Sequence, residues 1–166
     1  YATTDFDLWP ETSKMILVLL MFIGACAGST GGGFKISRLL ILCKAIPKQL
    51  SLVIHPREVK VIRMDGKPID HNTLRSTNVY LAIYFFILLV STLLISVDNF
   101  NLTTNFTAVA STLNNIGPGL DGVGPTRNFG MYSDFSKFVL MFDMLAGRLE
   151  LYPLLILFMP SLWRRK

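Results

Sequence analysis

Cysteine is scarce in this chain of 166 residues, with Cys26 and Cys43 the two present. They have neither disulfide nor metal-ligand spacing, so both read as small apolar residues. Histidine is as scarce. His55 and His71 fall in one basic stretch and read as solvated loop residues rather than ligands. Neither lies near Ser29 or Thr30, which excludes a membrane serine protease for want of a base. Charge is sparse, at 16% of residues against 51% hydrophobic, and it is missing altogether from Ser76 to Val97. Within that gap "VYLAIYFFILLVSTLLISV" is nearly all apolar. A run of about 18 or more apolar residues crosses a bilayer and is too long for an ordinary buried helix. The composition alone also suits a soluble protein with a rich core; the distribution selects a membrane protein.

Basic residues are rare on one side of the expected membrane. Between Asp98 and Asp134 there is only Arg127. Most of the positive charge is collected elsewhere: nine lysines and arginines from Lys35 to Arg75, and Arg164, Arg165 and Lys166 at the end. Positive charge near membrane ends marks the cytoplasmic side. Residues 35–75 and the C-terminus are therefore expected in the cytoplasm. The basic stretch lacks interleaved aromatics, so it reads as topology and lipid contact, with no nucleic acid as partner. An initiator methionine is also missing, and the start at Tyr1 leads us to expect either a piece of a longer protein or a truncated gene.

What is present has a clear order. "YATTDFDLWPET" is polar and acidic and belongs outside. Thr12 or Ser13 is suited to cap a helix beginning near Lys14. That helix runs inward, meets a glycine-rich stretch, and resumes to about Ala45, where Pro47 is expected to end it. Residues 48–75 form a cytoplasmic connector. Its "VKVIRMDGKPID" holds two short strand-like runs around Asp65-Gly66, a good hairpin turn, with a plain ordered loop as the alternative. A second span runs outward over about 77–97. Phe106 to Leu113 is amphipathic and makes a short helix that cannot cross a bilayer, stopped by Asn114-Asn115-Ile116-Gly117-Pro118-Gly119. After a polar outer loop, a last span runs inward from about Ser133 to Met159. The expected fold is an all-α membrane protein with three spanning helices and one re-entrant helix. Irregular backbone in a membrane survives only when buried in protein or lining a water-filled cavity.

Three stretches carry possible chemistry. In "STLNNIGPGL", Gly117 and Gly119 accept dihedrals closed to other residues. Extended chain of that kind, after a helix whose negative C-terminal end faces the same way, suits carbonyls aimed at a dehydrated cation. An outer loop with a type II turn at Gly-Pro-Gly remains the alternative. In "GACAGSTGGGFK", Gly24 and Gly28 form GxxxG, which lets helices approach closely, yet this leaves Gly31, Gly32 and Gly33 unexplained. A phosphate-binding loop is excluded, because Phe34 stands where the lysine belongs and no strand precedes it. An unwound intramembrane loop that lines or obstructs a pore remains. Arg148 in "LMFDMLAGRLELY" falls near the middle of the last span, where a charge costs several kcal/mol unless it meets a polar interior or a partner. Either it faces a pore, repelling cations and docking on the glycine loop's carbonyls, or it pairs structurally with Asp143 or an upstream helix. Glu150, two residues on, projects to a different face.

Taken together, "YATTDFDLWP", "FIGACAGSTGGGFK", "TLNNIGPGL" and "GRLELYPLLILF" resemble the Trk/Ktr/HKT superfamily of potassium transporters, and most closely its bacterial TrkH-type subunits. The matching stretches are spread over nearly the whole chain in the family's order, and "HPREVKVIRMDGKPI" looks like its cytoplasmic connector. The resemblance implies four repeats of helix, pore helix, filter strand and helix around one pore. It implies that residues 1–46 hold the outer segment and inner helix of the third repeat, 47–76 the connector, and 77–166 the fourth repeat. It implies that Asn115, Ile116 and Gly117 form one filter strand of four for a potassium ion. It implies that Gly28, Ser29, Thr30, Gly31, Gly32 and Gly33 form a gating loop, and that Arg148 opposes that loop. The function it implies is potassium uptake across the bacterial inner membrane, with no catalysed reaction and no organic cofactor. The implied partners are membrane lipid, the N-terminal repeats of the same polypeptide, a second copy in a homodimer, and a cytoplasmic nucleotide-binding subunit of TrkA type. The rival class is a non-conducting membrane assembly protein, which predicts an outer loop over 104–120.

Overall fold

A proline carbonyl starts the first helix. In the computed structural model, which describes residues 4–26, 29, 31–57, 61–64 and 66–149, helix α1 spans Glu11–Ile23. The amides of Ser13 and Lys14 both donate to Pro10 O, at 2.9 and 3.2 Å. Thr12 and Ser13 thus lie inside the first turn and do not cap it, and the helix begins three residues before Lys14. Glu11 in that turn complements the helix dipole and pairs with Lys14 at 2.8 Å. Thirteen residues reach about 20 Å, short of the ~30 Å hydrocarbon core. The chain leaves the helix at Gly24 and re-enters one at Ile36.

Helix α2 (Ile36–Ile54) runs straight through Pro47 instead of stopping there. A proline inside a helix deletes one hydrogen bond and costs about 3 kcal/mol. Pro47 and Cys43, whose carbonyl loses its partner, are both exposed, so no packed contact is disturbed. Lys44 Nζ donates to Arg63 O at 2.9 Å and ties the helix to the connector. There the expected hairpin forms: β1 (Arg63–Met64) pairs antiparallel with β2 (Lys67–Pro68), Met64 opposite Lys67, and Gly66 takes φ 77° at the turn.

Helix α3 (His71–Ile95) starts six residues earlier than the expected span. With a 3₁₀ turn to Asp98, it is, among the described residues, the one helix long and apolar enough to cross a bilayer alone. Its buried residues Thr77, Tyr80, Tyr84, Leu88, Ser91 and Ile95 recur every three or four positions and form one stripe. Beyond Asn78 the opposite face, with Phe86, Leu89 and Leu93, is exposed and apolar, as lipid or another apolar surface requires.

Helix α4 (Leu102–Leu113) is the centre of the fold, packed by α1, α3 and α5 (Asp134–Leu149). It starts four residues before Phe106, because Asn101 accepts from Thr104 N at 2.7 Å and caps it. Amphipathicity was expected here. Every residue from Thr104 to Asn114 except Phe106 is buried instead. Its hydroxyls remain satisfied in that apolar setting by turning back on the helix: Thr107 to Thr103 O, Ser111 to Ala108 O and Thr112 to Ala108 O, at 2.8–3.0 Å. Ala108, Ala110, Ser111, Ser136 and Ala146 are all at 0% exposure. Small side chains of this kind let helices approach where lipid removes the hydrophobic drive. The last helix begins at Asp134, next to the expected Ser133, and is described as far as Leu149. The remainder of the expected span to Met159 lies outside the described residues.

Candidate functional site

Below α4 the chain turns sharply and runs back beside it. Asn114 N donates to Ala110 O, Asn115 N to Thr112 O and Ile116 N to Ser111 O, at 2.9–3.1 Å. Asn115 takes the left-handed φ of 54° and Gly117 takes φ 114°, a region few side chains tolerate. Residues 116–119 have no regular structure. Asn115, Ile116 and Gly117 are exposed, whereas Gly119 and Leu120 are buried against α4. A Cβ at Gly117 would meet nothing within 4 Å, so glycine is required there by its dihedral and not by space.

The returning segment is fastened at the N-terminal end of α4, the outer end in the expected topology. Leu120 N donates to Thr107 Oγ1 at 3.0 Å, and Gly119 N to Val123 O at 2.8 Å. Asp121 accepts from Thr104 Oγ1 at 3.1 Å and from Asn101 Nδ2, while its own amide donates to Asp7 Oδ1 at 3.0 Å. The acidic N-terminal segment is thus part of the same cap. Asn101, and then Thr104 and the charges of Arg127 and Lys14, hold the Asp121 carboxyl below the usual carboxylate range, against burial pushing the other way. At this end Tyr132 Oη donates to Asn105 Oδ1 at 3.0 Å. Burial, with Asp98 adding to it, pushes the Tyr132 phenol up to about 12, so the donor stays protonated.

The glycine-rich loop lies against the inner end. Gly28 and Thr30 fall outside the described residues. Ser29 N donates to Cys26 O and Gly31 N to Ser29 Oγ, both at 3.0 Å, while Ile36 N donates to Ala25 O at 3.1 Å and joins the two helix ends. A Cβ on Gly32 would come within 2.7 Å of Asn114 O, and one on Gly33 within 2.9 Å of Asn114 Oδ1. Only glycine permits that approach. Lys35, at φ 66°, holds a conformation unusual for a residue with a side chain and places strain where the loop rejoins α2.

Arg148 is exposed near the end of α5. One turn earlier, Met144 O accepts from Asn115 Nδ2 at 3.2 Å. Between them Gly147 lies so close to α4 that a Cβ would fall 1.9 Å from Leu113 O. Asp143 is buried on another face, about 140° round the helix from Arg148, and accepts from Ser91 Oγ at 2.7 Å. Its hydrogen bond therefore goes to α3. Glu150 lies outside the described residues. The sequence-expected residues are thus brought together: Asn115, Gly32, Gly33 and the α5 turn before Arg148 converge on the inner end of α4. Reasoning from sequence missed Asn114, Tyr84 and Gly147, which hold that junction. The glycine inside an apolar helix was a signal for close packing. Tyr84 carried none, because its partner is thirty residues away in sequence.

A short buried helix, a sharp turn into irregular chain, and a glycine loop seated beneath it, beside one helix long and apolar enough to cross a bilayer, are the features of a helical bundle suited to a membrane. The chain belongs to the TrkH family of cation transport proteins, whose model matches residues 1–165. It is 38% identical over 164 residues to the Trk system potassium uptake protein TrkH of Vibrio parahaemolyticus, covering 99% of this chain and 33% of that one. The Escherichia coli K12 protein TrkG, also named a Trk system potassium uptake protein, is 33% identical over 163 residues, covering 98% of this chain and 33% of that one. The crystal structure of the potassium transporter TrkH from Vibrio parahaemolyticus superposes with a TM-score of 0.88 at 38% identity, covering 99% of this chain and 35% of that one. The fold is therefore that of a helical membrane transporter, and the relatives are transport proteins, not enzymes. The chain spans about a third of the length of the curated relatives it matches.

Proposed function

We propose that this chain is the closing part of a potassium uptake pore in the bacterial inner membrane, with potassium as cargo. In this reading residues 1–46 belong to the third pore repeat, 47–76 to a cytoplasmic connector, and 77–166 to the fourth repeat. Asn115, Ile116 and Gly117 supply one filter strand of four, their carbonyls replacing the ion's hydration shell. The glycine loop obstructs the path below, and Arg148 adds a positive barrier to it. The other strands come from N-terminal repeats of the same polypeptide. A homodimer docked on a cytoplasmic nucleotide-binding subunit completes the assembly, with the basic connector and the C-terminus on that side.

One observation carries this. Exposed irregular chain with left-handed dihedrals at Asn115 and Gly117 follows a helix too short to span a bilayer and buried on nearly all sides. A membrane tolerates such backbone where it lines a polar path. An assembly protein with an exposed outer loop over 104–120 is disfavoured by that burial. The test is rubidium tracer uptake into potassium-uptake-deficient cells expressing the full-length polypeptide, wild type against Gly117→Ser. A serine at φ 114° strains the strand without clashing. Uptake that loses its preference over sodium is expected. Equal uptake and preference at equal membrane levels would reduce the segment to a turn.

A further inference from the structure

Asn114 takes part in two structures at once. It ends the helix that leads into residues 115–117, and it is the surface on which the glycine loop rests. Its side chain is held at both ends: Tyr84 Oη donates to Oδ1, and Nδ2 donates to Ala110 O, each at 2.7 Å. Neither rotation nor an amide flip keeps both bonds. Against this fixed residue the loop comes so near that a Cβ on Gly32 would meet the backbone oxygen and one on Gly33 the side-chain oxygen. Tyr84 is itself clasped by both stems of the loop. Phe22, before it, packs edge-on at 6.4 Å between ring centres, and Phe34, after it, lies at 6.2 Å. One tyrosine thus touches the loop with its ring and holds the root of the candidate filter with its hydroxyl.

We propose that Tyr84 is a positioning residue for ion discrimination. Through Asn114 it sets the register between the glycine loop and the strand that begins at Asn115. This rests on the pore reading above. Helix α4 carries its own control, because a second buried Tyr–Asn bond closes its other end. Tyr132 Oη donates to Asn105 Oδ1 at 3.0 Å, and the Tyr132 ring packs on Phe100 and Phe129, at the far end of the helix from the loop. Removing either hydroxyl deletes the same kind of bond from the same helix. Only Tyr84 joins that bond to the loop.

The experiment measures rubidium uptake, and its inhibition by sodium, in the full-length polypeptide at matched membrane levels. Tyr84→Phe, Tyr132→Phe, Asn114→Ser and Gly117→Ser are compared with wild type. Tyr84→Phe is expected to discriminate roughly threefold to tenfold less well, the range that one lost hydrogen bond spans. Tyr132→Phe is expected to discriminate as wild type. Asn114→Ser, which also drops the bond to Ala110 O, should lose at least as much as Tyr84→Phe, and the double variant should be no worse than Asn114→Ser alone, as members of one linkage are. Asn114→Ser carries the test if Tyr84→Phe fails to reach the membrane. Unchanged discrimination in Tyr84→Phe, with a loss in Gly117→Ser, overturns the inference and leaves the pore reading standing. Equal losses in Tyr84→Phe and Tyr132→Phe also overturn it, since both bonds are then merely structural. Absence of uptake by wild type removes the inference and the pore reading together.

Discussion

The two ends of α4 are held by different means. At the outer end, side chains from four separate stretches meet: Asp7, Asn101 with Thr104 and Thr107, Asp121, and Tyr132. The segment 119–123 is bonded back on the helix through the amides of Leu120 and Gly122. At the inner end the close approach of backbones is the distinctive feature. Tyr84 and Ala110 hold Asn114, Asn115 reaches Met144 O, and backbones come close at Gly32, Gly33 and Gly147. The outer end resists movement because several bonds must break together. Contacts that rest on absent Cβ atoms part with little loss of directional bonding. In the proposed reading, close backbone contacts of this kind suit a loop that yields beneath a filter.

The comparison breaks most severely at Gly147. Alanine in place of a glycine inside a helix ordinarily stabilises by about 1 kcal/mol. Here the added Cβ meets the Leu113 carbonyl, so Gly147→Ala should instead destabilise by about 3 kcal/mol, by forcing α5 off α4. Thermal denaturation of the detergent-solubilised full-length polypeptide measures it, and a rise in Tm would show that the two helices do not meet as described. Next in size is Thr107→Val, which leaves the buried Leu120 amide without an acceptor. We expect a loss of about 2 kcal/mol, with discrimination between rubidium and sodium unchanged. A selectivity change here would mean that the outer end is no fixed anchor.

Smallest is a pH effect at Asp121. Its carboxyl titrates below the usual range in the folded protein. The stabilisation it gives is therefore complete above the ordinary carboxylate range, near pH 4, and is lost as pH falls through the lower native value. The Asp121 contribution should be flat from pH 7 to 5 and be lost in strong acid, so the acid decline should be smaller in Asp121→Asn. An identical acid decline in wild type and variant would detach Asp121 from the cap.

Much of the architecture was legible. A charge-free run of apolar residues pointed to a spanning helix, and α3 is long and apolar enough to be one, because length and hydropathy are properties of the segment itself. The hairpin at Gly66 and the break in the helix after Ile23 were legible for the same reason: glycine acts on its own dihedrals. Helix ends were less so. Pro10 and Asn101 start their helices through carbonyl and side-chain geometry that their neighbours also seemed able to supply, and Pro47 was expected to stop a helix that continues past it.

By itself, then, the sequence determined the membrane class, the order of helices, and where glycine would loosen the chain. Only the tertiary structure decided that α4 is buried all round, that Asp143 turns to Ser91, and that Asn114 joins Tyr84 to the glycine loop. The physical reason is range. Propensity and hydropathy act within a few residues, whereas a hydrogen bond between residues 84 and 114, or a carbonyl pressed on Gly147, exists only once distant segments have packed.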